Sequence, residues 1–353
     1  MSDNTLVRRK RKLNLGQYSY IYIFVALFLI YFLVSEGNLK WTGITNILRH
    51  SAIVGLLSYG MALIIITGDI DLSIGAILGC VSSFGCVIAN MMLANGAPTW
   101  WGVLVTVLFC LVGGTVLGFL NGILIGKVKL PAFIVTLATQ LIFRSAAQYS
   151  CRILDAALKG SSSNSYRVAN GPLRDAMYEF GNGQVFTLPI VGLIFIVVAI
   201  VLIYMSTSTK YGKRLFAVGS NVKAAHMAGI NVEWTRVSVF TIAGLLCGIG
   251  AALWICQQGG VDPATTGVNN EMFGIAATVL GGIAMSGGKG RLVGVIFGAL
   301  SYTVIDKIIA ALNVDSLINN AIKGLILLVA IIIQVGGPSI KNWIAQKKAQ
   351  KNA

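Results

Sequence analysis

Charge is scarce in this chain: of 353 residues only 11% are charged, acidic residues number 12, and histidine occurs twice. That scarcity excludes a soluble domain, because too few polar groups are present to clothe a core of this size. Neither His50 nor His226 has a partner histidine at helical spacing, so no zinc or haem chemistry is expected. Cys80, Cys86, Cys110, Cys151, Cys247 and Cys256 fall singly in or beside apolar runs, with no C-x-x-C pair, and read as packing residues. A phosphate-cradling G-x-x-x-x-G-K-S/T loop is also missing, since Ser286-Gly287-Gly288-Lys289-Gly290 lacks its spacing. No reactive constellation of the kind an enzyme needs is visible. If ATP drives this protein, another chain must bind it.

What is present is apolar: 56% of residues are hydrophobic and mean hydropathy is +0.80. This composition belongs to an integral membrane protein. The net charge of +15 would suggest nucleic acid in a soluble chain, but here basic residues cluster between apolar runs, as cytoplasmic loops do. No nucleic-acid partner is expected. Apolar windows near the ~20 residues a bilayer needs fall at roughly 18–34, 50–67, 72–93, 100–125, 132–150, 187–205, 236–256, 271–285, 291–311 and 316–335. They predict an all-α integral membrane protein of about ten transmembrane helices. The eighth window is short, and the glycine-rich turns around it suit a broken or tilted helix.

Arg8 to Lys12 precede the first run, and no small-residue cleavage site follows it, so the first run reads as a retained helix. Placing the N-terminus inside puts Lys127, Lys129, Lys210, Lys213, Arg214, Lys223, Lys289, Arg291 and the C-terminal lysines on the cytoplasmic side. Both termini are then cytoplasmic. The expected organisation is a basic tail over 1–17, a membrane domain over 18–335 and a second basic tail over 336–353. The long outer loop, about 151–186, with Asp155, Gly160 to Ser165, Asp175 and Glu179, suits an extracytoplasmic partner or a plain connector alike. Gly114, Gly118 and Gly122, and again Gly290, Gly294 and Gly298, recur every four residues and predict faces where a second backbone approaches closely.

Polar groups inside apolar runs are costly, so each needs a partner or a wet cavity. Gly68-Asp69-Ile70-Asp71-Leu72-Ser73-Ile74-Gly75 joins two runs where the backbone leaves the helix. Asp71 or Ser73 caps the following helix there, or the segment belongs to a pathway or gate. Asn121, Thr136, Thr139 and Gln140 suit a sugar-lined cavity or a helix interface equally. Glu271 is placed at an outer helix start, as a cap or at a solute entrance. Asp306, Lys307 and Lys323 are expected to form an intramembrane charge set, and Arg144 to snorkel outward.

Residues 206–236 form a basic, glycine-dotted loop between two spans. Its Gly219-Ser220-Asn221, Ala224-Ala225 and Gly229 alternate small residues with helix formers, as a short helix lying against a partner requires.

Five stretches in order, TGDIDLSIG from Thr67, NGILIG from Asn121, PAFIVTLAT from Pro131, TKYGKRLFAVGSNVKAAHMAGINV from Thr209 and IAATVLGGIAMSGGKGRLVGVIFGAL from Ile275, resemble the permease subunits of bacterial ABC importers for ribose, xylose and galactose. The resemblance covers nearly the whole chain beyond the N-terminal tail. It implies a multi-pass subunit of the bacterial plasma (inner) membrane, paired with a second permease copy or paralogue. ABC ATPase subunits would carry ATP and Mg on the inside, and an extracytoplasmic sugar-binding protein would deliver the cargo. It further implies that Gly219, Asn221, Ala224, Ala225 and Gly229 lie in the element that couples to the ATPase. The expected pathway or gate residues are Asp69, Asp71, Ser73, Asn121, Thr136, Gln140 and Glu271. Phe273, where the family shows an acidic residue, and Ala138, where glycine is common, depart from the pattern. The rival from another class is a stand-alone secondary transporter driven by protons through Asp69, Asp71 or Asp306.

Overall fold

The computed structural model describes residues 18–35, 40–158, 166–312, 318, 321–329 and 331–332. Both basic tails, the serine-rich 160–165, Trp343 and much of the tenth window lie outside the described residues. The elements are α1 (Ser19–Val34), α2 (Trp41–Ile66), α3 (Ile74–Ala94), α4 (Thr99–Gly126), α5 (Ala132–Leu158), β1 (Tyr166–Arg167), α6 (Pro172–Asn182), β2 (Gln184–Val185), β3 (Leu188–Pro189), α7 (Ile190–Ser208), α8 (Lys210–Ser220), α9 (Val222–Met227), α10 (Val232–Gln258), β4 (Gly260–Val261), α11 (Asn270–Leu280) and α12 (Val293–Ala311). The strands are two-residue pairings, β1 with β4 and β2 with β3, both antiparallel. The architecture is helical throughout.

Six of the described helices, α2, α3, α4, α7, α10 and α12, are long and apolar enough to cross a membrane. The eighth window does not give a full span. Helix α11 has 11 residues, about 16 Å of rise and roughly half a bilayer core. Its C-terminus is closed by Gly282 at φ 83, with the Gly282 and Ile283 amides donating to Val279 and Thr278.

Helix α2 is buried along most of its length and forms the axis of the bundle, flanked by α3, α7, α10 and α12. At one end of the bundle the end of α8 meets the end of α2, the end of α4 meets the start of α10 and the end of α11 meets the start of α12. Close contact between α4 and α10 explains the first glycine ladder. A Cβ at Gly118 would stand 2.4 Å from the Phe240 carbonyl oxygen, and one at Gly114 would stand 2.3 Å from that of Gly244. Two backbones occupy the space that side chains would fill, and dispersion over that long seam replaces the hydrophobic drive that lipid cannot supply. The second ladder is shorter than expected. Gly294 and Gly298 pack on Gly281 and Ala277, but Gly290 lies before α12 in a turn at φ 133.

The described part of the segment between α5 and α7 folds onto the bundle. Helix α6 buries Leu173 and Met177, and Gly181 abuts the Cys256 backbone at the end of α10. All six cysteines are buried. Lys323 does join Asp306, at 2.7 Å, and it lies 5.0 Å from the Phe273 ring centre. Phe273 thus presents its ring face to the Lys323 cation.

Candidate functional site

Helix α2 ends in a tight reversal that fixes the first half of the site. Gly68 takes φ 89, and the amides of Gly68 and Asp69 donate to the carbonyls of Ile65 and Ile64, the two bonds of a glycine C-terminal motif. The following residues are not helical, and Asp69 and Asp71, two apart, diverge to different partners. Asp71 Oδ1 accepts from the Ser73 amide at 2.7 Å and from the Ser73 hydroxyl at 2.6 Å. Asn121 Nδ2 in turn donates to Ser73 Oγ at 2.8 Å. All three side chains are buried. Burial pushes the Asp71 carboxyl up to about 6, against the downward pull of the Ser73 hydrogen bonds. Asp71 therefore caps the start of α3 and anchors a polar chain across to α4; Ser73 makes no cap bond of its own.

Asp69 goes elsewhere. Its Oδ2 lies 3.1 Å from Arg236 Nε on α10, with the N–H not aimed for a hydrogen bond, so the contact is one of charge. Burial raises the Asp69 carboxyl and Arg236 draws it back down.

The second half of the site is a non-helical stretch from Asp262 to Asn269 that runs beside α3 and opens into α11. Its backbone is held by its own turn, in which the Thr266 amide donates to the Asp262 carbonyl at 2.8 Å. It is also held by Arg144 of α5, whose Nη1 donates to the carbonyls of Ala264 at 2.9 Å and Thr266 at 3.1 Å. Irregular backbone at membrane depth persists only where protein or a wet cavity satisfies it. Arg144 supplies that need and does not snorkel outward as expected. One turn earlier on α5, Gln140 Nε2 lies 3.4 Å from Glu271 Oε1.

Glu271 is buried in the first turn of α11, where its carboxylate accepts from the backbone amides of Glu271 and Asn269 and so caps that helix start. It packs against α3 inside the bundle. The two halves meet where Glu271 Oε2 presses on Gly75, since a Cβ there would be 2.5 Å from that oxygen and 2.1 Å from the Gly267 carbonyl. Glu271 Oε2 and Asn121 Oδ1 are buried without hydrogen-bond partners, acceptors of the kind a passing polar solute can use. Thr136 and Thr139 bond to carbonyls of their own helix and stay out of this chain.

At the basic end, α8, α9 and the start of α10 form a helical elbow. Thr209, Asn221 and Asn231 cap the three helices through the amides of Gly212, Ala224 and Trp234. Ala225 is buried with Val218 and Val232, and Gly229, at φ 77, lets the chain turn out of α9. Gly219 faces the interior: a Cβ there would be 1.7 Å from the Ile66 carbonyl oxygen. The surface α9 offers outward is Val222, Lys223, Ala224, His226 and Met227, of which Met227 is 83% exposed. Of the five expected coupling residues only Ala224 and Asn221 lie exposed on the elbow itself and Gly229 beside it. The apolar pair Val222 and Met227 was not foreseen, although an exposed methionine on a short amphipathic helix is itself a docking signal.

The family model described as branched-chain amino acid transport system / permease component matches residues 43–334. The chain belongs to this permease family. The ribose import permease protein RbsC of Bacillus subtilis (strain 168) is 34% identical over 313 residues, 88% of this chain and 91% of its own. The xylose transport system permease protein XylH of Haemophilus influenzae is 29% identical over 374 residues, 92% of this chain and 97% of its own. The RbsC of Escherichia coli (strain K12) is 29% identical over 292 residues, covering 82% and 84%. The permease is thus a transport component. The family description names amino acids and these relatives name sugars, so membership by itself fixes the architecture and leaves the cargo to the finer comparison.

Proposed function

We propose that this permease is the multi-pass membrane subunit of an ATP-driven importer in the bacterial inner membrane, and that it translocates a monosaccharide, a pentose or a hexose. The observation that carries the reading is its end-to-end similarity to ribose and xylose permeases. Ten spans with both termini cytoplasmic suit the basic end and its loops. ABC ATPase subunits, holding ATP and Mg, would dock on the elbow, with Val222 and Met227 as anchors inside a rim of Lys213, Arg214 and Lys223. An extracytoplasmic binding protein would deliver sugar over α6, and a second permease copy or paralogue would complete the pathway. Asp71, Ser73, Asn121, Gln140 and Glu271 are assigned to the gate, because they form a buried, partly unpaired polar belt between a helix start and a half-helix.

The reading is checked by deleting the chain from its host and measuring uptake of labelled D-ribose and D-xylose. Uptake of one of them should fall at least tenfold and return with the restored chain; unchanged uptake of both, with loss of amino-acid uptake, would refute the sugar assignment.

Asp71→Ala removes the acceptor for two Ser73 donors, a loss of about 1–3 kcal/mol. Insertion and recovery with the ATPase should persist while uptake drops roughly tenfold. Equal loss of assembly and uptake would reduce Asp71 to a helix cap.

A further inference from the structure

The elbow touches the gate along two routes that share one junction. Gly219, at the end of α8, lies against the last carbonyl of α2, and that same Ile66 oxygen accepts from the Gly288 amide at 2.9 Å. Ser220 Oγ reaches the Gly288 carbonyl at 3.4 Å. A Cβ at Gly287 would be 3.0 Å from the Gly219 oxygen and 3.1 Å from the Gly68 Cα. Three backbone segments therefore meet at Gly68, Gly219 and Gly287-Gly288; at Gly219, Gly287 and Gly288 a side chain would block the approach, whereas Gly68 is required by its turn alone. Gly68, Gly287 and Gly288 have positive φ as well.

From that junction one route follows the loop from Asp69 to Ser73 into the start of α3. The other follows the turn of residues 283–290, closed by the Ala284 amide on the Lys289 carbonyl at 3.1 Å, back into α11. The routes end on the two partners of one buried contact, Gly75 of α3 and Glu271 of α11. Arg236, through Asp69, ties the junction to α10.

We infer that this glycine junction, fastened to α10 by Asp69 and Arg236, is the element through which α9 moves both walls of the buried polar site. The inference rests on the importer reading. A displacement of α9 cannot be absorbed by soft side chains here, because backbone bears on backbone, so it is delivered to the start of α3 and to α11 together. Asp69, Arg236 and Ser220 are positioning residues: they touch no cargo and act by keeping the junction in register with α10.

The test uses the full complex with its ATPase in proteoliposomes and reads labelled sugar moved per ATP hydrolysed. Arg236→Gln should lower that ratio about fivefold or more, the lower range of ordinary site-to-site coupling. The ATPase should still co-purify and keep its basal hydrolysis. Adding Asp69→Asn to Arg236→Gln should cause little further loss, because the pair acts as a unit. Ser220→Ala should lower the ratio in the same direction while leaving assembly intact. An unchanged ratio in Arg236→Gln, a fall explained wholly by loss of the ATPase, or losses from the two charge changes that multiply independently would each overturn the inference. Should the unaltered chain support no ATP-dependent uptake at all, the importer reading itself fails and this inference falls with it.

Discussion

Gly118→Ala should prevent stable folding, whereas Gly113→Ala, five residues earlier on the same helix, should be tolerated. Both changes add one methyl group and both improve helix propensity by about 1 kcal/mol. They differ in what the methyl meets. At Gly113 the nearest atoms are Val81 methyls at 3.7 and 3.8 Å, an ordinary contact. At Gly118 the methyl would meet the Phe240 oxygen at 2.4 Å and the Gly244 Cα at 2.7 Å, and backbone cannot rotate aside. Helix α10 would have to withdraw along its whole seam with α4. Overpacking of this kind ordinarily costs about 1–3 kcal/mol, and here it also opens the dispersion contacts on which helix association in lipid depends. Yield of monodisperse protein in detergent and its melting temperature read the difference directly. Equal behaviour of the two variants would mean that α4 and α10 are not packed through their glycines.

Met227→Glu is expected to abolish transport while leaving the protein folded. The side chain is 83% exposed, so its loss to the fold should stay within about 0.5 kcal/mol. As a central apolar anchor at an interface it should be worth about 2 kcal/mol or more, roughly a thirtyfold loss of ATPase affinity. Co-purification of the ATPase and uptake should fall together, with unchanged melting temperature. Gly219 is a poor choice for the same test: a bulky residue there would strike the Ile66 carbonyl and damage the fold before it touched docking. A Met227→Glu protein that retains both its ATPase and its uptake would move the docking surface off α9.

These two cases show where the sequence is legible. Spacing of four along a helix is a local property, so Gly114, Gly118 and Gly122 announce a close helix contact without naming α10 as the partner. The elbow is legible for the same reason, since basic residues and caps between two apolar runs mark a short amphipathic element. Which of its small residues turn inward is not local. Gly219 and Ala225 serve the protein's own packing, while Val222 and Met227 face out, and only the positions of α2 and the turn at 283–290 decide that. Asp69 and Asp71 look like one acidic motif, yet Asp71 bonds locally to Ser73, two residues on, while Asp69 meets Arg236 from a distant part of the chain. Arg144 was misplaced because a stretch such as Asp262 to Asn269 reads as a plain loop. Its course becomes visible only once α3 and α5 stand beside it, with Gly75 and Gly79 leaving room for its carbonyls. The apolar window at 271–285, by contrast, announces a broken helix through its short length and flanking glycines, and the break falls after Leu280, leaving a half-helix.

The most direct measurement of the central claim is transport by the purified chain in liposomes, with and without its ATPase and the sugar-binding protein. Alone, under a proton or sodium gradient, the protein should accumulate neither D-ribose nor D-xylose. With both partners and ATP it should accumulate one of them. Accumulation by the chain alone, driven by the ion gradient and indifferent to ATP, would contradict the account and assign the buried carboxylates to ion coupling.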